Sequence, residues 1–271
     1  MAAGLALGNL AEEHENSASQ NDVEVKDYYS GKKKVKAVKA HEYTLGIGTG
    51  YYMSIGITDF SVCLRDEDGY ISYNSQINAS FGNANYMGSR NLPDEIADIK
   101  NSGGYVCSYF YSTAFDETDE YKRSIKKAYE IALINEASKS GVDDILIIGL
   151  KPTAENIDEM EAFVSELSVA AGNSALGILA SAEDVKLTDQ GVYMIPRLRA
   201  VCDFTALDLR DMPRDAATKK AGQEKSELSA YLGEMEYYIK SGSMRLVFST
   251  GNSSLMNSAT DLGVTSAQIV E

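Results

Sequence analysis

The sequence predicts an α/β fold: a single (β/α)8 barrel, in which eight parallel strands are each followed by a helix. The chain has 271 residues, close to the length of about 250 that is typical of this barrel. Its 44% hydrophobic content is sufficient for a large core. From about Glu42 onward, short apolar runs alternate with amphipathic helices, as repeated βα units require.

Eight apolar runs are the predicted strands, because their aliphatic and aromatic content suits strands that are buried on both faces. The runs are Tyr43–Ile47, Asp59–Leu64, Tyr105–Tyr111, Ile145–Leu150, Leu176–Ala180, Phe204–Leu209, Met244–Phe248 and Ala267–Val270. An open doubly wound α/β sheet is the alternative architecture, since the same alternation of strands and helices builds it.

The predicted helices are bounded by residues that commonly start and stop helices. One begins at Asn91 and Pro93 and ends at Gly103, and a second follows Asp119 and ends at Gly141. The second helix places Tyr121, Ile125, Ala128 and Ala132 on one side. Three further helices are predicted, over 157–171, Ser226–Lys240 and Ser253–Leu262.

Residues 1–40 are predicted to be a disordered leader, with the barrel domain covering 41–271. The leader contains an acidic, polar stretch and a lysine-rich run over Lys32–Lys39, and neither has apolar periodicity. The lysines are interpreted as a solvated linker, or alternatively as a contact with an anionic surface. Met1–Leu10 is apolar but too short to cross a bilayer, so it is either an ordinary terminus or the remnant of a lost membrane tether.

Composition argues against several classes of function. The formal net charge of −15 repels phosphate backbones, so no nucleic-acid partner is expected. The two histidines, His14 and His41, precede most of the fold, and the three cysteines form no C-x-x-C pair, so no metal site is expected. The glycine run at 46–50 lacks the third glycine of a dinucleotide fingerprint, and no cofactor is predicted. Carboxylates, hydroxyls and amides must therefore carry any chemistry.

The segment Leu64–Ser75 follows a predicted strand, so in a barrel it lies on the C-terminal face, where active sites are built. Physical reasoning alone favours a charged turn at Asp68-Gly69. The segment also resembles a family of uncharacterised bacterial glycoside-hydrolase-like barrels related to the α-amylase type. The matching residues are Arg65, Asp66, Gly69, Tyr73 and Ser75, followed downstream by Gly103, Tyr105, Phe115 and Asp116.

A third matching segment, 128–152, first agrees with this family and then departs from it. The agreement covers Ile131, Ala132, Glu136, Ala137, Gly141, Asp143, Asp144 and Ile145. Three residues then differ: an aspartate of the family pattern is replaced by Ile148, a tyrosine by Gly149 and an arginine by Lys151. The resemblance implies that the missing aspartate is the nucleophile of strand 4. It therefore supports a barrel and argues against hydrolysis.

Other acids are candidates for the two carboxyl groups of a glycosidase, which lie about 5 Å or roughly 6.5–9.5 Å apart. Strand alternation directs Asp208 into the barrel mouth if Leu207 and Leu209 face the helices. Asp66 and Asp116 follow other strand ends, which makes Asp66, Asp116 and Asp208 the candidate catalytic residues. The same acids are equally suited to structural ion pairs with Arg210 and Lys151.

We therefore expect a catalytically eroded glycoside-hydrolase-like barrel that binds a glycan or cell-wall component. Asp66, Tyr73, Tyr111 and Asp208 are the predicted ligand-binding residues, because carboxylates accept hydrogen bonds from sugar hydroxyls and aromatic rings pack on sugar faces. One alternative is an active glycosidase with relocated acids. Another is an interaction module without a ligand site. The resemblance implies location at the cell envelope, with the cytoplasm as the alternative.

Overall fold

Eight parallel strands form a closed barrel in which each strand pairs with the next in sequence and the last pairs with the first. This computed structural model describes residues 35–39, 53–54, 58–81, 91–180, 197–210, 244–249 and 266–270. Closure through the β1–β8 pair confirms the predicted barrel and excludes the open doubly wound sheet, because an open sheet has two unpaired edges.

The strands are β1 (Val35–Lys39), β2 (Asp59–Arg65), β3 (Tyr105–Tyr111), β4 (Asp144–Ile148), β5 (Ala175–Ala180), β6 (Phe204–Asp208), β7 (Met244–Phe248) and β8 (Ser266–Ile269). The described helices are α1 (Gln76–Ser80), α2 (Leu92–Asn101), α3 (Glu120–Lys139) and α4 (Ile157–Ala171), with a 3-10 turn at Ala114–Asp116. Seven of the eight predicted strands coincide with these elements to within a few residues.

The first strand is the exception, and the prediction for it was wrong. β1 is Val35–Lys39, inside the lysine run assigned to the leader, and it pairs with Asp59–Ser61 on one side and Ser266–Gln268 on the other. The barrel domain therefore begins by Val35 and not at residue 41. The lysines led to the assignment of this run to the disordered leader. A barrel strand, however, is defined by backbone pairing on both sides, and charged residues within it do not prevent that pairing. Residues 1–34 and the predicted strand Tyr43–Ile47 lie outside the described residues.

Helix α3 turns a different face to the barrel from the one its apolar residues suggested. Its buried residues are Tyr129, Glu130, Leu133, Ile134 and Ala137. Tyr121 and Ile125 point to solvent, with 75% and 43% of their surfaces exposed. Helices predicted at Ser226–Lys240 and Ser253–Leu262 lie outside the described residues. None of the helices that can be described has the length and apolarity needed to cross a membrane.

Strands β2 to β6 are buried on two sides, and their side chains alternate between them. Phe60, Val62 and Leu64 of β2 pack with the helices in one apolar cluster. A second cluster draws only on strand residues and their immediate ends, among them Tyr109, Leu146 and Ala206, and is therefore the barrel interior. Tyr111 and Ile148, which lie two residues after Tyr109 and Leu146 on the same strands, are at the C-terminal mouth of the barrel.

The lower half of the barrel interior is closed by a buried ion pair. Arg245 of β7 reaches across to Asp144 of β4 through two hydrogen bonds of 3.0 and 2.7 Å. It also donates to Gln268 at 2.7 Å, and its guanidinium lies 4.2 Å from the ring centre of Phe204. Both charged side chains are fully buried. Among the described residues, this pair occupies the barrel interior beneath the mouth.

Candidate functional site

A cleft of about 420 Å³ opens at the carboxyl ends of β2 to β6, the face on which barrel enzymes carry their sites. Its walls come from the segments that follow five successive strands. The lining residues are Glu67, Tyr111, Ser112, Thr113, Asp116, Ile148, Gly149, Leu150, Lys151, Pro152, Leu179, Asp208 and Arg210. The described residues therefore leave a concave mouth, which the interaction-module alternative did not predict.

Asp208, Arg210 and Tyr111 form a hydrogen-bonded chain on one wall of the cleft. Arg210 binds both carboxylate oxygens of Asp208, from Nε at 2.9 Å and from Nη2 at 2.7 Å. Its Nη1 donates to the Tyr111 hydroxyl. Burial raises the pKa of Tyr111 above its ordinary value, although Arg210 acts in the opposite direction. Tyr111 is therefore a neutral phenol at physiological pH, suited to hydrogen bonding and unsuited to act as a nucleophile.

The structure places Asp208 where strand alternation predicted, at the mouth with its side chain in the cleft. Its carboxylate, however, is occupied by Arg210, whose backbone N–H also donates to Oδ1 at 3.0 Å. Three N–H donors of Arg210 are therefore directed at this one carboxylate, which forms an ion pair with its neighbour two residues along the chain. The sequence analysis gave such a structural ion pair with Arg210 as the alternative to a catalytic role for Asp208.

Ile148 and Leu179 form an apolar floor between these polar walls. Ile148 is the last residue of β4, it faces the barrel interior, and only 2% of its surface is exposed. It occupies the mouth position at which the resemblance implied a nucleophilic aspartate. An isoleucine there supplies apolar contact and no charge.

Asp66 lies outside the cleft, and its expected ligand role needs correction. Its Oδ1 accepts a hydrogen bond from the backbone N–H of Tyr70 at 2.8 Å, and its carbonyl accepts one from Gly69 N–H at 3.1 Å. Gly69 has a φ of +86°, the left-handed conformation that closes such turns. Asp66 therefore stabilises the charged turn that physical reasoning favoured, and the next residue, Glu67, is the acid that lines the cleft.

Tyr73 is also absent from the cleft, because it is buried against helix α3. Its hydroxyl donates to Oε2 of Glu136 at 3.0 Å, and the Ser75 hydroxyl donates to the same oxygen at 2.5 Å. The other oxygen of Glu136 accepts the Gln76 backbone N–H at 2.9 Å, at the start of α1. Tyr73, Ser75 and Glu136 are residues that carry the family resemblance. Together they fix the β2–α1 connection to α3, so these matches mark a fold contact.

Asp116 lies at the rim of the cleft with Lys151. Their Oδ1 and Nζ atoms are 3.3 Å apart, and the two side chains are 50% and 77% exposed. Such an exposed ion pair contributes at most about 1 kcal/mol, because water screens it. The structure thus brings three predicted site residues to one cleft, Asp116, Tyr111 and Asp208, and leaves Asp66 and Tyr73 outside it.

A buried network supports the part of the cleft that follows β3. Arg65 donates to the Tyr111 carbonyl at 2.6 Å, to Glu130 at 3.0 Å and to the Thr113 hydroxyl at 3.0 Å. Glu130 also accepts the Ser112 hydroxyl at 2.5 Å and the Thr113 N–H at 2.8 Å. A bulge between Cys63 and Arg65 changes the register of β2, which leaves Arg65 on the helix side of the barrel. This network holds three consecutive cleft residues.

Gly149 makes a close crossing of two cleft segments possible. Its φ is +87°, and a Cβ at this position would lie 2.6 Å from the Ser112 carbonyl oxygen. Gly141 also has a positive φ, of +94°, but its Cβ would meet only an Ile96 methyl at 3.7 Å. Substituting each glycine in turn therefore distinguishes the free-energy cost of the left-handed backbone conformation from the cost of steric overlap.

We expect Gly149→Ala to lower the free energy of unfolding by about 2–4 kcal/mol, and Gly141→Ala by about 1–2 kcal/mol. The second substitution costs only the left-handed conformation, whereas the first adds backbone overlap. Urea denaturation of both variants measures the difference. Equal losses in the two variants would mean that the close crossing at Ser112 does not exist in solution.

No group of three or more His, Cys, Asp or Glu side chains suited to holding a metal ion occurs among the described residues. Arg210 and Glu67 are two charged cleft residues that the sequence analysis did not name as site residues. Their signal was weak, since Arg210 was considered only as an ion-pair partner and Glu67 adjoins the more conspicuous Asp66.

No protein-family model and no curated protein matches this chain. Solved structures do match in fold. One, assigned as an α-L-fucosidase from Bacteroides thetaiotaomicron VPI-5482, is 13% identical over 88% of this chain and 85% of that chain, with a TM-score of 0.57. The spore cortex-lytic enzyme SleL of Bacillus cereus is 8% identical over 88% of this chain and 70% of that chain, with a TM-score of 0.51. At such identities the likeness concerns the fold alone, and it agrees with the (β/α)8 barrel of this chain.

Proposed function

We propose that the cleft binds a glycan and does not cleave it. The observation that carries this proposal is the state of the two mouth positions from which a carboxylate would act. Ile148 occupies the end of β4, and the Asp208 carboxylate at the end of β6 is bound through both oxygens by Arg210. The α-amylase-type relationship and a location at the cell envelope belong to the same proposal.

The composition of the cleft supports a sugar ligand. Pyranose rings have an apolar face and a rim of hydroxyls, so their sites combine aromatic or aliphatic surface with a few directed polar groups. Ile148 and Leu179 supply the apolar surface, while Ser112, Thr113 and the Asp208–Arg210 pair supply polar groups. A volume of about 420 Å³ is sufficient for a small number of sugar units.

The experiment incubates the purified chain with wall fragments and oligosaccharides, and native mass spectrometry follows bound and cleaved species. We expect intact complexes. Asp208→Asn should weaken them by about tenfold, because it replaces a charged partner of Arg210 with a neutral one and loosens the Arg210–Tyr111 contact. Glu166→Gln on α4, exposed and distant from the mouth, is the matched control and should leave affinity unchanged.

The second candidate function is hydrolysis, and one observation favours it: Glu67 and Asp116 bring further carboxyl groups to the cleft that holds Asp208. This reading predicts cleaved products that disappear in Asp208→Asn or Glu67→Gln but persist in Glu166→Gln. Complexes without cleavage would favour binding. The absence of both binding and cleavage across the panel would reject either form of carbohydrate function.

A further inference from the structure

We infer that the cleft selects saccharides bearing a free amine over neutral and acidic ones, and that Glu67 is the selecting group. This inference rests on the proposed glycan-binding function and adds the chemical class of the ligand. It comes from how the charges of the described cleft residues are paired.

Three carboxylates and two cations line the cleft. Arg210 binds Asp208 through two short hydrogen bonds, so these two charges largely cancel each other. Lys151 pairs with Asp116 at 3.3 Å. Glu67 remains, and among the described residues it has no hydrogen-bond or ion-pair partner. Among the described cleft residues, Glu67 therefore leaves one negative charge without a paired cation.

The turn holds the backbone at Glu67, and the side chain of Glu67 is open to a ligand. Asp66 and Gly69 close the turn on either side of Glu67 through hydrogen bonds of 3.1 Å or less. Glu67 is exposed, so its carboxylate is hydrated until a ligand displaces that water. Tyr111 lines the same cleft as Glu67. The pKa of this phenol is raised chiefly by burial, and the negative charge of Glu67 acts in the same direction.

An ammonium group suits this environment better than any other sugar substituent. It would offer three donors to the Glu67 carboxylate. The apolar floor of Ile148 and Leu179 would take the apolar face of the same ring. Uronic acids, sulfates and phosphates would be repelled by Glu67 and by a chain whose net charge is −15.

The test compares three tetrasaccharides of similar size: β-1,4-linked glucosamine, its fully N-acetylated counterpart, and tetragalacturonate. Dissociation constants are measured for the wild type, Glu67→Gln and Glu166→Gln at low and high salt. The two variants have the same net charge, so a general attraction between an acidic protein and a cationic sugar would change equally in both. A local role for Glu67 would change only the first.

We expect the amine tetrasaccharide to bind about two- to fivefold more tightly than the acetylated one, with tetragalacturonate weakest. Glu67→Gln should remove the amine preference, Glu166→Gln should keep it, and high salt should reduce it. A preference that survives Glu67→Gln, or that both variants lose equally, would overturn the inference. If none of the three binds while another glycan in the panel does, the inference fails and the proposed function stands. If no glycan binds at all, both fail.

Discussion

Arg245→Ala is expected to lower the free energy of unfolding by about 3–5 kcal/mol, because it leaves the fully buried carboxylate of Asp144 without its charged partner. The substitution also removes the group that accompanies Gln268 and Phe204 in the barrel interior. Chemical denaturation with the slope of the transition held in common measures this loss.

Two companion variants make this result interpretable. Arg197 binds Asp158 and Glu161 at the surface, and Arg197→Ala should cost less than about 1 kcal/mol. The double substitution Arg245→Met with Asp144→Leu removes both buried charges and should recover much of the loss, since apolar residues of similar size commonly replace buried ion pairs well. A single-variant loss no larger than that of Arg197→Ala would show that the pair is hydrated in solution.

The barrel was predictable because parallel strands buried on both faces leave a strong trace in a sequence. Continuous apolar runs such as Ile145–Leu150 and Leu176–Ala180 differ from the alternating pattern of strands with one solvent-exposed face. Glycines mark the ends of the helices between the strands. β1 left no such trace, because lysines interrupt Val35–Lys39. Its assignment depends on pairing with β2 and β8, which lie distant in sequence.

The site was predictable only where simple periodicity decides the direction of a side chain. Alternation in β6 correctly directed Asp208 to the mouth, and the same rule places Tyr111 and Ile148 there. In the turn after β2 no such rule holds, since Asp66 bends back to cap the turn and the neighbouring Glu67 faces the cleft. The partner of Tyr73, Glu136, lies 63 residues away, and only the folded structure brings the two together.

The buried network below the β3 end of the cleft yields the second large effect. Glu130→Ala is expected to lower the free energy of unfolding by about 3–5 kcal/mol, because Arg65 stays buried without its carboxylate and Ser112 and Thr113 lose an acceptor. Glu136→Ala, on the same helix, is the matched comparison. It removes hydrogen bonds of similar number, and no ion pair of Glu136 occurs within the described part of the chain, so about 1–3 kcal/mol is expected.

A readout from the cleft separates the role of Glu130 from general stability. In Glu130→Ala, hydrogen exchange should accelerate over residues 111–116, and glycan affinity should fall at temperatures where the variant remains folded. Glu136→Ala should instead accelerate exchange over residues 73–78. Equal changes in both segments would indicate general loosening of helix α3.

The pH dependence of stability tests whether burial, or the charge and hydrogen bonds around it, has the larger effect on the pKa of Glu130. Burial raises the pKa of this carboxyl above its ordinary value of 4.5, although Arg65, Ser112 and Thr113 act to lower it. A group with a raised folded-state pKa contributes stability below its unfolded pKa and loses that contribution as the pH rises through the folded value. Glu130→Gln cannot ionise, so the wild type should lose stability relative to this variant as the pH rises above the ordinary glutamate value of 4.5. A wild type that instead gains on the variant with rising pH would mean that Arg65 and the hydrogen bonds outweigh burial.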